Sequence, residues 1–146
     1  MDDLARPLRV LSLGAGVQST TLALMAAKGE IEQPDCAIFA DTGAEPKSVY
    51  DHLEKLQTAL PFPIHIVTAG NIKDDALKGT NSGGKSRFAA IPYFLDRGKN
   101  GIGMGRRQCT KEYKIVPIQK KIRELLGYAP RARIPADAAE VWIGIS

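Results

Sequence analysis

Apolar positions along the chain fall into short runs separated by longer stretches with helical spacing. LRVLSL (8–13) is an apolar run, rich in branched residues, of the length of one buried strand, and GAG follows it at once as a turn signal. A helix is expected to start near Val17, with Val17, Thr21, Leu24 and Met25 as its core-facing positions and Gly29 where a C-terminal cap belongs. The unit then repeats. DCAIFA (35–40) reads as a second strand, DTGAEP as its exit loop and Pro46 as the first position of a second helix, along which Val49, Leu53, Leu56 and Leu60 form one apolar stripe. PIHIVT (63–68) is a third strand, and the order βαβαβ predicts a parallel sheet with right-handed crossovers.

Beyond Ala69 the regular pattern fails. Residues 79–108 form a glycine-rich, basic stretch with one helical turn expected around Phe88 to Leu95, interrupted by Pro92; a loop of this length is functional or mobile. VPIQKKIRELLG restores a helical stripe (Ile118, Ile122, Leu125, Leu126) that starts at Pro117 and ends at Gly127, and EVWIGIS reads as a further buried strand. A final apolar strand with no helix to cover it leads us to expect the N-terminal portion of a longer polypeptide, incomplete at its C-terminus.

The 146 residues, 44% hydrophobic, suffice for one domain spanning 1–146. The apolar runs are too short to span a membrane and MDDLARPLRV lacks a signal peptide's apolar segment, so a cytoplasmic protein with no membrane partner is expected. The net charge of +4 conceals an asymmetry: residues 1–70 carry 5 Lys/Arg against 9 Asp/Glu, whereas residues 71–133 carry 15 against 5. Seven of the 14 glycines lie in this basic half, between Gly79 and Gly105, where backbone approaches an anion closely. A solvated basic face is the alternative.

Two segments compete for phosphate. GTNSGGKS (79–86) spells the P-loop pattern GxxxxGK[ST], but the pattern needs a strand before it and a helix after it, and here NIKDDALK precedes and RFAAIPYF follows. SLGAGVQSTT (12–21) has the strand and the helix. Its N–H groups from Ala15 to Ser19, the helix dipole and the hydroxyls of Ser19 and Thr20 would cradle a diphosphate. A dinucleotide site is the alternative for this loop, since Gly14-Ala15-Gly16-Val17-Gln18-Ser19 approaches GxGxxG and Asp41 ends the second strand; Ser19 in place of the third glycine speaks against it.

The loop also resembles the PP-loop SGGxDS of the adenine-nucleotide alpha-hydrolases, with Gly14 in place of the first serine and Gln18 in place of the aspartate. Ala40-Asp41-Thr42-Gly43 with Glu45-Pro46 is similar to the LDTG motif of the phosphoadenosine phosphosulfate (PAPS) reductase branch. CTKEYKIVPI (109–118) resembles its CCxxRKVxPL segment: Cys109, Lys114, Ile115, Pro117 and Ile118 fit, while Thr110 and Tyr113 depart. The resemblance implies a Rossmann-like, three-layer α/β/α fold with a mainly parallel sheet. It implies ATP or PAPS as substrate, an alpha-hydrolase or sulfurtransferase activity, and a nucleotide held by Ser12, Gly14 to Thr20 and Asp41, Thr42 and Gly43.

Acceptor attack on the α-phosphorus would expel pyrophosphate, with Lys114, Arg106 and Arg107 supplying positive charge. Asp41 is a candidate Mg²⁺ ligand or, equally, the cap of the turn after its strand. Cys109, beside Arg106, Arg107 and Lys111, is a reactive thiolate or an inert cysteine; without a second cysteine nearby, no iron–sulfur cluster is expected within this chain. Cys36, in an apolar run, reads as a buried hydrophobe, His52 and His65 as structural, and Tyr113 and Trp142 as core or rim aromatics. A tRNA or DNA acceptor on the basic segment, or a non-catalytic nucleic-acid-binding module, are the remaining partner expectations.

Overall fold

The strand β1 (Leu8–Ser12) carries the sheet, with Val10 and Leu11 wholly excluded from solvent. The computed structural model describes residues 6–86, 94–96, 98–104 and 110–145. β1 is followed by α1 (Val17–Ala27), β2 (Cys36–Asp41), α2 (Lys47–Ala59), β3 (Ile64–Thr68) and α3 (Ile72–Lys78). A hairpin of β4 (Phe94–Asp96) and β5 (Ile102–Met104), the helix α4 (Val116–Leu125) and β6 (Ala139–Ile143) complete the order. The main sheet has the order β3-β2-β1-β6 and every pairing in it is parallel. The fold is therefore α/β and compatible with a Rossmann-like arrangement, and no helix among the described residues is long and apolar enough to cross a membrane.

Alternate residues of the central strands feed two separate clusters, as the two-residue period of a strand requires. Leu11, Ala37 and Phe39 pack with Ala23 and Ala26 of α1 and with Leu53 and Leu56 of α2. Val10, Cys36 and Ile38 pack with Ile122 of α4, with Ile118 and Leu126 alongside. Burial on both faces explains why β1 and β2 read as continuous apolar runs rather than alternating ones. Burial also pushes the Cys36 thiol up from its ordinary value, with the charge of Asp35 adding to the effect, so this cysteine is a packed neutral side chain.

Several sequence expectations need correction. In α1 the buried positions are Ser19, Ala23 and Ala26, while Val17 is 78% and Leu24 40% exposed. The helix meets the sheet through its small residues, which allow close approach, with Leu22 packed alongside and Val17 and Leu24 turned outward. The stretch after Ala69 contains α3, capped by Asn71 and ended by left-handed Gly79, as well as the β4–β5 hairpin. Of the turn expected around Phe88 to Leu95, residues 94–96 are strand, and residues 87–93 lie outside the described residues. The last helix is preceded without a break by a π-helical turn, Lys111–Ile115, so helical structure begins before Pro117.

The entrances of β1 and β2 are latched together by Asp35. Its carboxylate accepts from both terminal nitrogens of Arg6, at 3.0 and 2.6 Å, and from the backbone N–H of Arg9 at 2.8 Å. The Arg6 guanidinium, with the Arg9 N–H, outweighs partial burial and holds the Asp35 carboxyl below its ordinary value of 3.8. A depressed carboxyl stabilises the fold above its unfolded pKa and loses that contribution as pH falls through the folded one. Asp35→Asn should therefore be less stable than wild type at neutral pH, and the difference in thermal midpoint should shrink as pH drops below 3.8. A difference that stays constant down to about pH 2 would show that the charge of Asp35 contributes nothing.

Candidate functional site

Because all four strands run the same way, Ser12, Asp41, Thr68 and Ile143 end at one edge of the sheet. The chain moves outward from β1 to β2 and β3, then returns to pair β6 with the other side of β1. The strand order thus reverses at β1, and loops that diverge at such a point leave a crevice outside the carboxyl ends.

The segment between β1 and α1 lies at that point of the edge. Ala15 has φ 54°, the one non-glycine residue with positive φ among the described residues, a conformation that costs an L-residue roughly 1–2 kcal/mol. Gly16 then caps α1 in an extended conformation, and the first turn contains no acidic side chain. The N–H of Leu13 is taken by the Ile38 carbonyl and that of Thr20 by the Gly16 carbonyl. Between them, no hydrogen bond among the described residues occupies the N–H groups of Gly14, Ala15, Gly16, Val17, Gln18 and Ser19. Six successive donors at a helix N-terminus, with the dipole behind them, form a strong anion-attracting surface.

The side chains beside this loop hold its shape. Ser19 is buried and its hydroxyl donates to the Gly16 carbonyl at 3.4 Å. Thr20 Oγ1 lies 3.0 Å from Nε2 of His52, which joins the first turn of α1 to α2. On the β6 side, a Cβ on Gly144 would stand 2.8 Å from both Gln18 Cβ and Ser19 N, so the exit of β6 presses directly on the first turn of α1.

The loop after β2 is built as a second, self-contained unit. Asp41 Oδ1 accepts from the Gly43 N–H and from the Tyr50 hydroxyl, each at 2.7 Å, which makes Asp41 the cap of its own turn. The hydrogen bond to Asp41, with burial and the carboxylate charge adding, pushes the Tyr50 phenol up, so Tyr50 stays a donor. Asn71 clamps this loop to the one after β3. Its Oδ1 caps α3 through the N–H groups of Lys73 and Asp74 while its Nδ2 donates to the Gly43 carbonyl at 3.0 Å, and the Ile72 N–H donates to the Thr42 carbonyl. Glu45 accepts from the Thr42 hydroxyl at 3.2 Å and pairs with Lys114 at 3.7 Å. Lys114 is thereby brought from the π turn to the β2 loop. Its neighbour Tyr113 is fully buried and donates to Asp75 of α3 at 2.6 Å.

GTNSGGKS is constructed in the opposite way from the loop of Gly14 to Ser19. It follows the helix α3 rather than a strand, and Thr80 and Ser86 form an isolated antiparallel bridge across it. The N–H groups of Asn81, Gly83, Gly84 and Lys85 donate to atoms of the same loop, and that of Ser82 donates to Glu112 Oε1 at 2.5 Å. Five successive donors are already satisfied. This segment cannot also wrap a phosphate, and the Lys85 side chain is exposed.

Comparison with family models, with curated proteins and with solved structures gives no match. The chemistry of the site therefore rests on the chain's own geometry. Ser12, Gly14 to Thr20 and Asp41 to Gly43 lie on adjacent loops at the carboxyl edge, and Lys114 reaches the second of them. Arg106, Arg107 and Cys109 lie outside the described residues. Among the described residues no group of three or more His, Cys, Asp or Glu is arranged to hold a metal. Asn71, Tyr50, His52, Glu45 and Gly144 were missing from the candidates read in the sequence. Of these, Asn71 carried a legible signal, an N-cap residue between a strand and a helix; the partners of the others are set by tertiary contact.

Gly43 bears two constraints at once: φ is +74°, and a Cβ there would stand 2.9 Å from Asn71 Nδ2. Gly43→Ala should cost about 2 kcal/mol or more in chemical denaturation, from the left-handed conformation and the displaced amide. Gly14→Ala, whose Cβ would have its nearest neighbour at 3.9 Å, should cost under about 0.5 kcal/mol. Equal losses would mean that the clamp between the two loops contributes no stability.

Proposed function

We propose that the chain binds an adenine nucleotide, ATP or PAPS, through its phosphates at Gly14 to Ser19, and acts at the α-phosphate or on the sulfonucleotide as an alpha-hydrolase or sulfurtransferase. The observation that carries this reading is the row of six unoccupied N–H donors where the strand order reverses. The three-layer architecture of the adenine-nucleotide alpha-hydrolases, implied by the motif resemblance, agrees with the packing of α1 and α2 on one cluster and α4 on the other.

In this reading the backbone donors hold the terminal phosphates before reaction and meet the charge that builds on them during it. An acceptor oxygen bonds to the α-phosphorus, the bond to the bridging oxygen breaks, and pyrophosphate leaves with the electron pair. Donors fixed in place need no reorganisation as that charge grows. Lys114, held near the β2 loop by Glu45, is assigned to neutralise part of it. Asp41 to Gly43, with Thr42 buried, is assigned to the nucleoside side. A Mg²⁺ ion accompanying the nucleotide would neutralise phosphate charge, and Asp41 is the carboxylate that would hold it, through Oδ2, since Oδ1 already accepts from Gly43 and Tyr50. A dinucleotide site is the weaker reading, because Ser19 stands where a dinucleotide-binding loop has its third glycine.

The geometry makes a discriminating pair of variants available. A Cβ on Gly16 meets nothing within 4 Å, so Gly16→Ala should melt like wild type. By calorimetry it should bind ATP at least about tenfold more weakly, because the methyl group intrudes where phosphate meets backbone. Lys85→Ala should change ATP affinity by less than about threefold. Release of AMP and pyrophosphate that disappears in Ser19→Ala would support the enzymatic step. Equal losses at Gly16 and Lys85, or no ATP binding by wild type, would sink the assignment.

A further inference from the structure

A second cavity of about 450 Å³ opens beside the end of β3, away from the loop of Gly14 to Ser19. Ala69, Val116 and Pro117 give it an apolar floor, Asn81 and Ser82 one wall, and Lys111 and Lys120 two cationic side chains. Neither lysine has a carboxylate partner among the described residues. Glu112 also lines the cavity, but its Oε1 accepts the Ser82 N–H at 2.5 Å. Two lysines against one glutamate leave the cavity lining net positive, which favours an anion there.

The wall is rigid for the same reason that it is not a P-loop. With its five N–H groups satisfied, the 81–85 turn is fixed, and Asn81 Oδ1, which accepts from Gly83 and Lys85, leaves the amide NH₂ as the end still able to donate. The Glu112 contact docks that turn onto the π-helical segment. A π-helical turn inserts a residue into a helix and recurs at functional sites. Here it sends Lys111 to the cavity, Tyr113 to Asp75 and Lys114 to Glu45.

We infer that this cavity is a second anion site, separate from the loop of Gly14 to Ser19, that takes a phosphate ester of nucleotide size. Its volume lies within the range of small-ligand sites, its apolar floor suits an organic group, and its two lysines suit the phosphate. The ester is either a free mononucleotide or one phosphodiester unit of a nucleic-acid strand. The inference does not depend on ATP binding at the first site.

Binding of UMP and of a fluorescent oligothymidylate should be measured for wild type, Lys111→Ala/Lys120→Ala and Lys111→Arg/Lys120→Arg, each checked for an unchanged melting curve. UMP affinity should fall about a hundredfold in the alanine pair, roughly tenfold per charged contact, and largely persist in the arginine pair. If the source is a strand, the oligothymidylate should show the same losses, and its salt dependence should flatten by roughly one in log–log slope per lysine removed. ATP binding at the loop of Gly14 to Ser19, read as the loss caused by Gly16→Ala, should be the same in the wild-type and alanine-pair backgrounds. Wild-type binding of neither probe, or binding of both that is unchanged by the alanine pair, would overturn the second site. Loss of ATP binding in Gly16→Ala with UMP binding retained would separate the two sites.

Discussion

The parallel pairing of β1 with β2 on one edge and β6 on the other is the constraint on which the rest of the structure depends. Parallel strands cannot be joined by a tight turn, so each connection must climb back over a face of the sheet, and every strand then ends at the same edge. That single requirement gathers loops that are far apart in the sequence. It also buries β1 and β2 on both faces, because the returning helices have to lie somewhere.

What makes this edge chemically distinctive is an uneven distribution of hydrogen-bond donors. A buried N–H without a partner is costly, and exposed N–H groups are ordinarily satisfied by water or by the chain itself. The turn at Asn81 to Lys85 has all five of its backbone N–H groups satisfied, four within the turn and that of Ser82 by Glu112, and becomes a scaffold. The turn from Gly14 to Ser19 satisfies none within the described residues, and holds Ala15 in a left-handed conformation to present them. Side chains that do form bonds there, Ser19 and Thr20, do so with the Gly16 carbonyl and His52, which stiffens the turn without using its N–H groups. A larger cavity of about 960 Å³ runs along α4 and the chain after it, but it touches neither this turn nor Asp41 to Gly43.

Rigidity at the second loop comes from one residue with two ends. Asn71 spends its oxygen on the N-terminus of α3 and its nitrogen on the Gly43 carbonyl, so the start of a helix and the turn after β2 move together. Glu45 extends the connection to Lys114, and Tyr113 ties the π turn back to α3 through Asp75. An ion pair as exposed as Glu45–Lys114 contributes little stability by itself. The effect of these contacts is geometric, since together they fix where the π turn meets the β2 loop and α3.

Strands β1, β2, β3 and β6, the starts of α1 and α2 and the parallel sheet were legible in the sequence because apolar runs, glycine turns and proline at a helix entrance act over a few neighbouring residues. The stripe in α1 was misread for a related reason: spacing of large side chains identifies a helix, but which face is buried depended on how closely the sheet lets the helix approach, and Ala23 and Ala26 won over Val17 and Leu24. The Asp41 turn was legible as one of two readings, and its partner Tyr50 was set only by the packing of α2. Spelling alone ranked GTNSGGKS and GAGVQS by resemblance to a pattern; a strand before one loop and a helix before the other separated them. Only the tertiary structure decided which N–H groups were already spent, because a donor's availability depends on every acceptor within reach, including Glu112, which lies thirty positions from Ser82.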